Sequence, residues 1–231
     1  NMPCATPTIF DYKTISEQKK FLRNRAKSAL KEYCSDSALM ESCSQSMASS
    51  FLASKEYNDC EVLLGVMALS DEPNLCLIYR QALKDGKKIA FPRMRPSCEI
   101  DFFYVTDFEN SFSIQNPYKI KEPLPQCKKV CLDTLPSKTV VFVPGLVFNF
   151  EGHRLGRGKG FYDRFLQQLA LNNNDFCLCG VCFTICVTKA IPVEKHDVSV
   201  THLLTEYGFI KCKKDSSQSI LMNKAGEEES D

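Results

Sequence analysis

The sequence predicts an α/β fold: a three-layer α/β/α arrangement with a mostly parallel central sheet, in a single domain. Short apolar runs that favour strands alternate along the chain with segments whose apolar residues recur at helical spacing. This alternation favours parallel strands covered by helices on both faces. The 231 residues, 44% hydrophobic and 25% charged, are enough for one domain with a proper core.

The individual elements follow from periodicity and from residues that start or stop them. A first helix is predicted from Ser16, a candidate N-cap, and further helices over residues 37–52, about 75–84 and 161–171. Asp85-Gly86 ends the third of these helices, and Asn172-Asn173-Asn174 ends the fourth. The predicted strands, which are short and apolar or β-branched, cover residues 62–69, 88–91, 100–105, 139–143 and 178–187.

The chain divides into three parts by composition. Residues 1–13 form a polar N-terminal lead-in, and residues 14–210 carry all the predicted elements. Within them, residues 111–137 are loop-like and contain four prolines. Residues 211–231 are polar and end in an acidic run, so we interpret them as a solvated, disordered tail without a role in the active site.

Composition argues against several classes of protein. A net charge of +1 does not favour bulk binding of nucleic acid or of an anionic membrane. The 13 cysteines are odd in number and lie within apolar runs, which indicates core thiols in a reducing compartment; their spacing does not support a zinc site. Residues 1–10 lack the pattern of a secretory signal, and no apolar run is long enough to span a membrane. We therefore expect a cytoplasmic monomer.

The segment richest in chemistry follows the predicted strand over residues 139–143. Pro144-Gly145 stops that strand, and Gly156, Gly158 and Gly160 then occupy every second position, interleaved with Arg157 and Lys159. Glycines allow positive φ and close approach of the backbone, so that several N–H groups can converge on a phosphate. The predicted helix that follows presents its positive N-terminal end to the same point.

Charged side chains strengthen this interpretation. Arg157 and Lys159 add full positive charges, and Asp163, in the first turn of the helix, is a natural magnesium ligand beside bound phosphates. A lone glycine-rich loop can also be an ordinary surface turn, and this one matches neither G-x-x-x-x-G-K-[ST] nor G-x-G-x-x-G. The strand–loop–helix context nevertheless favours an anion site.

Longer strings of residues give a more specific indication. Val143-Pro144-Gly145-Leu146-Val147-Phe148 and Gly152-His153-Arg154-Leu155-Gly156-Arg157-Gly158-Lys159-Gly160-Phe161-Tyr162-Asp163 closely resemble the 5-formyltetrahydrofolate cyclo-ligase (methenyltetrahydrofolate synthetase) family. In that family this loop binds the phosphates of ATP and touches the folate. The resemblance implies ATP binding by Arg154, Leu155, Gly156, Arg157, Gly158, Lys159, Gly160, Phe161 and Tyr162. It implies folate contacts for Arg157, Lys159, Gly160, Phe161 and Tyr162, and a magnesium ligand in Asp163.

The resemblance extends over residues 15–208. The family's first helix carries K-x-x-x-R, which implies ATP contacts for Lys19 and Arg23; these stand four apart on one helical face. Lys20 and Arg25 satisfy a looser match, and any one of these residues could instead be a solvated charge.

The folate side of the family pattern falls on the segment 67–72. Met67 is an implied folate contact, and Glu72 best fits the carboxylate that accepts hydrogen bonds from the pterin. Pro73-Asn74 departs from the family's usual residues, and Asp71 is a possible substitute for Glu72.

The C-terminal part of the chain both matches the family and departs from it. Ile191-Pro192-Val193-Glu194-Lys195-His196-Asp197 matches a family stretch that implies Asp197 as a second magnesium ligand, and we favour a structural turn role for His196. The chain departs from the family at Ile185-Cys186 and at Thr201, which we place at the edge of the site.

The resemblance implies a reaction in which 5-formyltetrahydrofolate and ATP give 5,10-methenyltetrahydrofolate, ADP and phosphate. Lys119 and Lys121 could attract a polyglutamate tail on the folate. Two alternatives remain: an ATP-dependent kinase or ligase with another small substrate, and a family member that binds folate or nucleotide without turnover. The departures at Ile185, Cys186 and Thr201 motivate the second.

Overall fold

The computed structural model describes residues 8–114, 116, 119–171, 175–195 and 197–213. Within these residues the helices are α1 (Ile15–Tyr33), α2 (Ser37–Leu52), α3 (Lys55–Asp59), α4 (Cys76–Lys84) and α5 (Phe161–Leu171). The strands are β1 (Val62–Leu64), β2 (Lys88–Met94), β3 (Ile100–Val105), β4 (Phe112–Ser113), β5 (Glu122–Pro123), β6 (Thr139–Pro144), β7 (Val147–Phe148), β8 (Arg154–Leu155), β9 (Cys177–Val181), β10 (His202–Thr205) and β11 (Gly208–Lys211). Short 3₁₀ helices cover Ile9–Asp11, Leu132–Thr134 and Thr184–Cys186.

Seven strands form one central sheet in the order β11-β10-β9-β6-β1-β2-β3. The pairings from β10 through β9, β6 and β1 to β2 are parallel, and only β3 and β11 at the two edges run antiparallel to their neighbours. The predicted mostly parallel α/β architecture is therefore confirmed. The register aligns Leu64 with Val141 and Val141 with Leu178, so the carboxyl ends of β1, β6 and β9 meet at one edge of the sheet.

Helices cover both faces of this sheet. Phe142 of β6 contacts Phe51 of α2 and Tyr79 of α4, so α2 and α4 share one face. Phe102 of β3 packs against Phe165 of α5 with ring centroids 4.8 Å apart. Phe103, the neighbour of Phe102, pairs with Phe91 of β2, which contacts Tyr79 on the α4 face. Successive side chains of a strand point to opposite faces, so Phe102 and α5 lie on the other face.

Several predicted bounds agree with the structure, and others are wrong at their ends. Helix 37–52 and strand 100–105 have the predicted limits, and α5 begins at Phe161 as predicted. The predicted stop of α5, Asn172-Asn173-Asn174, lies outside the described residues. Helix α1 begins at Ile15, because Thr14 rather than Ser16 caps it and forms a reciprocal capping box with Glu17. The third predicted helix is α4, which begins at Cys76, close to the predicted start.

Two predicted strands are too long. The strand predicted over 62–69 ends at Leu64. The backbone N–H and C=O of Val66 are hydrogen-bonded to the Tyr79 hydroxyl, so they do not pair with a neighbouring strand. The strand predicted over 178–187 ends at Val181, and the chain turns into a 3₁₀ helix at Thr184–Cys186. In both cases the apolar run continues after the sheet pairing stops.

The start of the predicted tail is still bonded to the domain. Lys211 belongs to β11, the Cys212 N–H donates to Thr201 O, and the Lys213 N–H donates to Phe150 O. Residues 214–231 lie outside the described residues. Among the described helices, none has the length and apolar character needed to cross a membrane.

Most of the described cysteines are buried or partly covered, and Cys131 is exposed. Twelve are free thiols, and five of these are buried: Cys43, Cys60, Cys179, Cys182 and Cys186. Burial raises the pKa of Cys186 to about 12, so its thiol stays protonated at neutral pH. No group of three or more His, Cys, Asp or Glu side chains in the described part of the chain is arranged to hold a metal ion.

Candidate functional site

A cavity of about 460 Å³ opens at the carboxyl edge of the parallel strands. This is the edge at which open α/β sheets generally bind ligands. Two segments supply its polar walls: the loop after β1, residues 66–72, here called the acidic loop, and residues 156–160, here called the glycine loop. The lining residues are Val66, Met67, Leu69, Glu72, Pro92, Met94, Ile120, Pro144, Gly145, Arg154, Gly156, Arg157, Gly158, Lys159, Gly160, Phe161, Tyr162 and Asp163.

The glycine loop needs its glycines for defined reasons. Gly158 and Gly160 have φ values of +97° and +72°, which side chains with a Cβ rarely adopt. A Cβ on Gly156 would lie 2.8 Å from Arg154 Nη1. The loop is also tied to α1, because Arg23 Nε donates to Gly156 O at 2.9 Å. Its backbone therefore has one defined path to the N-terminus of α5.

Arg154 supports this loop from beneath. Only 4% of its side chain is exposed; its Nη1 donates to Pro144 O at 3.2 Å, and its Nη2 forms an ion pair with Asp163. Burial lowers the pKa of Arg154, while the charges of Asp163 and Asp197 raise it. Arg154 Nε is buried without a hydrogen-bond partner among the described residues. The guanidinium thus joins the end of β6 to the first turn of α5.

The first turn of α5 contributes a buried polar group beside the cavity. Tyr162 lines the cavity and is 9% exposed, and its hydroxyl has no hydrogen-bond partner among the described residues. Burial raises the pKa of Tyr162, so the hydroxyl remains protonated and able to donate. A buried hydroxyl without a partner is costly, and a bound ligand would satisfy it.

On the opposite side, Arg157 holds both carboxylates of the acidic loop. Its Nη1 and Nη2 donate to Asp71 Oδ2 and Oδ1 at 3.1 and 2.6 Å. Its Nε and Nη2 donate to Glu72 Oε1 at 3.2 and 3.0 Å. Although burial opposes the charge, these two carboxylates raise the pKa of Arg157. The side chain predicted for the anion site therefore pairs across the cavity with the predicted folate carboxylate.

Both oxygens of the Glu72 carboxylate accept hydrogen bonds, and burial makes its negative charge costly. Oε2 accepts from the Leu69 N–H at 3.1 Å, while Oε1 accepts from Arg157. Burial raises the pKa of Glu72 above its usual range, despite the opposing effects of Arg157 and the Leu69 N–H. The fold thus keeps an acid in a position where its charge is costly, which is typical of a functional group.

Lys19 of α1 pairs with two acids near the C-terminal end of the domain. Its Nζ lies 2.6 Å from Glu194 Oε2 and 3.3 Å from Asp197 Oδ2. Burial opposes the charge, but these two carboxylates raise the pKa of Lys19 overall. Among the described residues that line the cavity, four predicted site residues are absent: Lys19, Arg23, Leu155 and Asp197. Of these, Arg23 donates to Gly156 O of the glycine loop, and the charge of Asp197 acts on Arg154.

Asp163 and Asp197 are carboxylates of the kind that bind a magnesium ion together with substrate phosphates. Asp163 lines the cavity, and 41% of its side chain is exposed. Asp197 is close enough for its charge to act on Arg154, as that of Asp163 does. Magnesium is commonly held by one or two carboxylates together with substrate phosphates and water. The donor set therefore fits such an ion, although Arg154 and Lys19 now occupy the two carboxylates.

The departures from the family pattern lie in different surroundings. Thr201 Oγ1 donates to Leu178 O and accepts from the Leu178 N–H, so it joins β9 to the start of β10. The site is at the other end of these strands, and our placement of Thr201 at the site's edge is wrong. Cys186 is buried and Ile185 is 45% exposed in the 3₁₀ helix after β9. His196 lies outside the described residues.

Sequence reasoning assigned no site role to seven lining residues: Val66, Leu69, Pro92, Met94, Ile120, Pro144 and Gly145. Pro144 and Gly145 belong to the first string that resembles the family, which was the available signal for those two. The others contribute apolar surface, which residue chemistry alone does not distinguish from core.

Together, the parallel sheet, the glycine loop at its carboxyl edge and the ion pairs around the cavity define an α/β protein with a ligand cavity of the kind that enzymes of this architecture use. The 5-formyltetrahydrofolate cyclo-ligase family model matches residues 15–206, and the chain belongs to that family. The predicted family is confirmed.

Individual relatives agree with this assignment. The 5-formyltetrahydrofolate cyclo-ligase of Mus musculus is 26% identical over 197 residues, covering 84% of this chain and 96% of the mouse protein. That of Saccharomyces cerevisiae is 30% identical over 151 residues, covering 58% of this chain and 69% of the yeast protein. The NMR structure of Aquifex aeolicus 5,10-methenyltetrahydrofolate synthetase shares the fold, with a TM-score of 0.68, 24% identity and coverage of 85% of this chain and 94% of that one.

Proposed function

We propose that this enzyme converts 5-formyltetrahydrofolate to 5,10-methenyltetrahydrofolate with ATP and magnesium, releasing ADP and phosphate. The observation that carries the proposal is one cavity with a glycine loop at the N-terminus of α5 on one side and Glu72 on the other. A phosphate donor and a pterin can therefore meet within one enclosed space. Membership of the cyclo-ligase family supports the same reaction.

We assign the nucleotide to the glycine-loop side. The positive φ values of Gly158 and Gly160 aim successive backbone groups at the start of α5, where phosphate oxygens are favoured. Lys159 adds a full charge there, and Lys19 and Arg23 approach from α1. The proposed ATP contacts are Lys19, Arg23, Arg154, Leu155, Gly156, Arg157, Gly158, Lys159, Gly160, Phe161 and Tyr162.

We assign the folate to the side of the acidic loop. Glu72 can accept hydrogen bonds from the amino-pyrimidinone edge of a pterin, and Met67 supplies apolar surface beside it. Tyr162 can donate its unpartnered hydroxyl to a polar atom of the substrate. The proposed folate contacts are Met67, Glu72, Arg157, Lys159, Gly160, Phe161 and Tyr162.

The proposed chemistry overcomes a poor leaving group. The formyl oxygen attacks the γ-phosphorus of ATP, the bond to the β-phosphate oxygen breaks, and ADP leaves. N10 of the folate then attacks the activated formyl carbon, loses its proton to solvent, and the C–O bond breaks with release of inorganic phosphate. The protein positions both substrates and neutralises the charge on the phosphoryl group, which are the main demands of phosphoryl transfer.

Asp163 and Asp197 are the residues that we propose to hold magnesium. The ion supplies charge neutralisation on the phosphates, and the part of Asp163 exposed to the cavity is the side on which they would lie. Binding of the nucleotide would replace the Lys19–Asp197 and Arg154–Asp163 ion pairs with contacts to phosphates and metal.

We further propose that the protein acts as a cytoplasmic monomer. The described cysteines are free thiols, which favours a reducing compartment. Lys119 and Lys121, which flank the lining residue Ile120, would lie near a polyglutamate tail on the substrate.

A direct assay tests the proposal. Purified protein with 5-formyltetrahydrofolate, ATP and magnesium should produce the near-ultraviolet absorbance of the methenyl product, with one ADP for each product. Absence of product from folded protein would contradict it. ADP formation without folate would favour another kinase or ligase, and folate binding without ADP release would favour a non-catalytic binding protein.

A further inference from the structure

The unexplained feature of the site is that two carboxylates share one guanidinium. Asp71 holds Arg157 with two hydrogen bonds, while Glu72 holds it through a single oxygen, Oε1. The bond from Nη2 to Asp71 Oδ1 is 2.6 Å long, shorter than the 3.0 Å and 3.2 Å bonds to Glu72. Arg157 is therefore held more tightly by Asp71 than by Glu72.

The second oxygen of Glu72 is occupied as well, because Oε2 accepts from the Leu69 N–H at 3.1 Å. A pterin edge that donates two hydrogen bonds needs at least part of this carboxylate to become available. Arg157 can leave Oε1 without becoming unpaired, since both of its bonds to Asp71 remain. Without Asp71, the same movement would leave a half-buried cation with no partner, at a substantial cost.

We propose that Asp71 is a positioning residue that holds Arg157 when folate takes over the Oε1 atom of Glu72. This inference rests on the proposed function, since it assigns the pterin to Glu72. Arg157 belongs to the glycine loop and Asp71 to the acidic loop, so their ion pair also fixes the distance between the nucleotide and folate sides. Asp71 acts through Arg157 and touches neither substrate.

The Asp71→Asn variant removes the charge and keeps the size of the side chain. Arg157 then has Glu72 as its only charged partner in the acidic loop and competes with the pterin for it. We expect KM for 5-formyltetrahydrofolate to rise about tenfold, equivalent to about 1.4 kcal/mol, and KM for ATP to change less than about twofold. Asp71→Glu, which keeps the charge, should raise the folate KM less than about threefold.

A double-mutant cycle separates this role from a merely structural one. In an Arg157→Ala background, Asp71→Asn should have no further effect on the folate KM, because no guanidinium remains to be held. Glu109→Gln is the matched control: its carboxylate pairs with Arg80 at 2.8 Å on the surface, with 63% of its side chain exposed, and it should leave both KM values unchanged.

The outcomes distinguish this inference from the proposed function. If the folded wild-type protein forms no methenyl product, the proposed function itself is overturned. Active wild-type protein with an unchanged folate KM in Asp71→Asn would overturn the role of Asp71, as would an equal effect of that substitution with and without Arg157. If Asp71→Asn fails to fold, a tenfold rise in Asp71→Glu would overturn it.

Discussion

The two walls of the cavity differ in how their polar groups are satisfied. In the glycine loop the backbone is already in the rare conformations of Gly158 and Gly160, and the neighbouring Tyr162 hydroxyl has no partner among the described residues. In the acidic loop both oxygens of Glu72 accept hydrogen bonds from the protein. The walls share the ion pairs of Arg157, but the glycine-loop backbone is preformed, whereas the acceptor groups of Glu72 are bonded to the protein.

This difference has a consequence for binding. The backbone of the glycine loop needs no rearrangement to bind phosphate, so the proposed nucleotide side should contribute to rate through fixed electrostatics once Asp163 and Asp197 have exchanged their ion pairs. On the proposed folate side the binding group, Glu72, is itself in an ion pair, so substitutions there should appear first in KM. The predictions below separate these two kinds of effect.

The largest effect is expected at Lys159. Lys159→Ala removes a charge at the proposed phosphate position and should lower kcat about 100-fold, because donors to developing charge act most strongly in the transition state. Lys159 is exposed on its loop, so thermal unfolding should change little. Steady-state kinetics with each substrate varied in turn would measure kcat. As a control, Lys55→Ala removes an exposed lysine paired with Asp59 and should leave the rate unchanged. An unaltered kcat in Lys159→Ala would contradict its assignment.

A smaller effect, in KM, is expected at Glu72. Glu72→Gln replaces a charged acceptor by a neutral amide, and hydrogen bonds to charged groups are worth about 1.5–3 kcal/mol, so the folate KM should rise about 30-fold. The KM for ATP should change far less. Equal increases in the KM values for folate and ATP would show that Glu72 supports the whole cavity and does not bind the pterin specifically.

Glu72 should also make stability depend on pH. Burial raises its pKa in the folded protein, so the fold binds this proton more tightly than the unfolded chain does. The resulting stabilisation is complete below the unfolded pKa of about 4.3 and is lost as pH rises through the folded value. The Gln side chain cannot lose a proton. The free energy of unfolding of Glu72→Gln relative to wild type should therefore increase from pH 4 to pH 7, as followed by denaturant titration. A difference that is flat or falls over that range would be inconsistent with this effect.

An intermediate effect is expected at Gly158. A Cβ there would meet Arg23 at an ordinary 3.5 Å, so the cost of Gly158→Ala comes from the positive φ alone. We expect kcat/KM for ATP to fall about tenfold as the loop relaxes. Gly86→Ala is a close control, since Gly86 has φ +73° and open space around its Cβ, in the turn after α4. It should lose similar stability with unchanged kinetics; equal kinetic loss in both would point to a general effect of unfolding.

The smallest kinetic effect is expected at Tyr79. Its hydroxyl accepts from the Val66 N–H at 2.9 Å and donates to Val66 O at 2.7 Å, which positions the start of the acidic loop. Tyr79→Phe should lower the free energy of unfolding by about 1–3 kcal/mol, since it leaves buried backbone groups unpaired. The folate KM should change less than about threefold, because Glu72 is held separately through Leu69. A folate KM that rises well beyond this while the free energy of unfolding changes little would mean that the acidic loop is positioned mainly by the core.

The sequence predicted best the elements whose signals are local. Helix 37–52 has a cap, and its bounds agree with the structure, as does the start of the helix at Phe161. The short strands β4, β5, β7, β8, β10 and β11 were not predicted, because two to four residues carry too little pattern. The strand predicted over 178–187 was too long, since an apolar run does not show where sheet pairing ends.

The same limit applies to the site. The glycine loop could be found because its residues are contiguous, and all of it lines the cavity. The pairing of Arg157 with Asp71 and Glu72 joins positions 85 and 86 residues apart along the chain, so no local pattern indicates it. Lys19 and Arg23 share a helical face as predicted, but their present partners, Glu194 and Gly156 O, depend on the tertiary fold.

The central claim is that the γ-phosphate is transferred to the formyl oxygen within this cavity. It is tested most directly with 5-formyltetrahydrofolate labelled with ¹⁸O in the formyl group. The account predicts that the released inorganic phosphate carries the label, one atom for each methenyl product. Unlabelled phosphate formed together with the methenyl product would contradict it, because the formyl oxygen would then have left by another route.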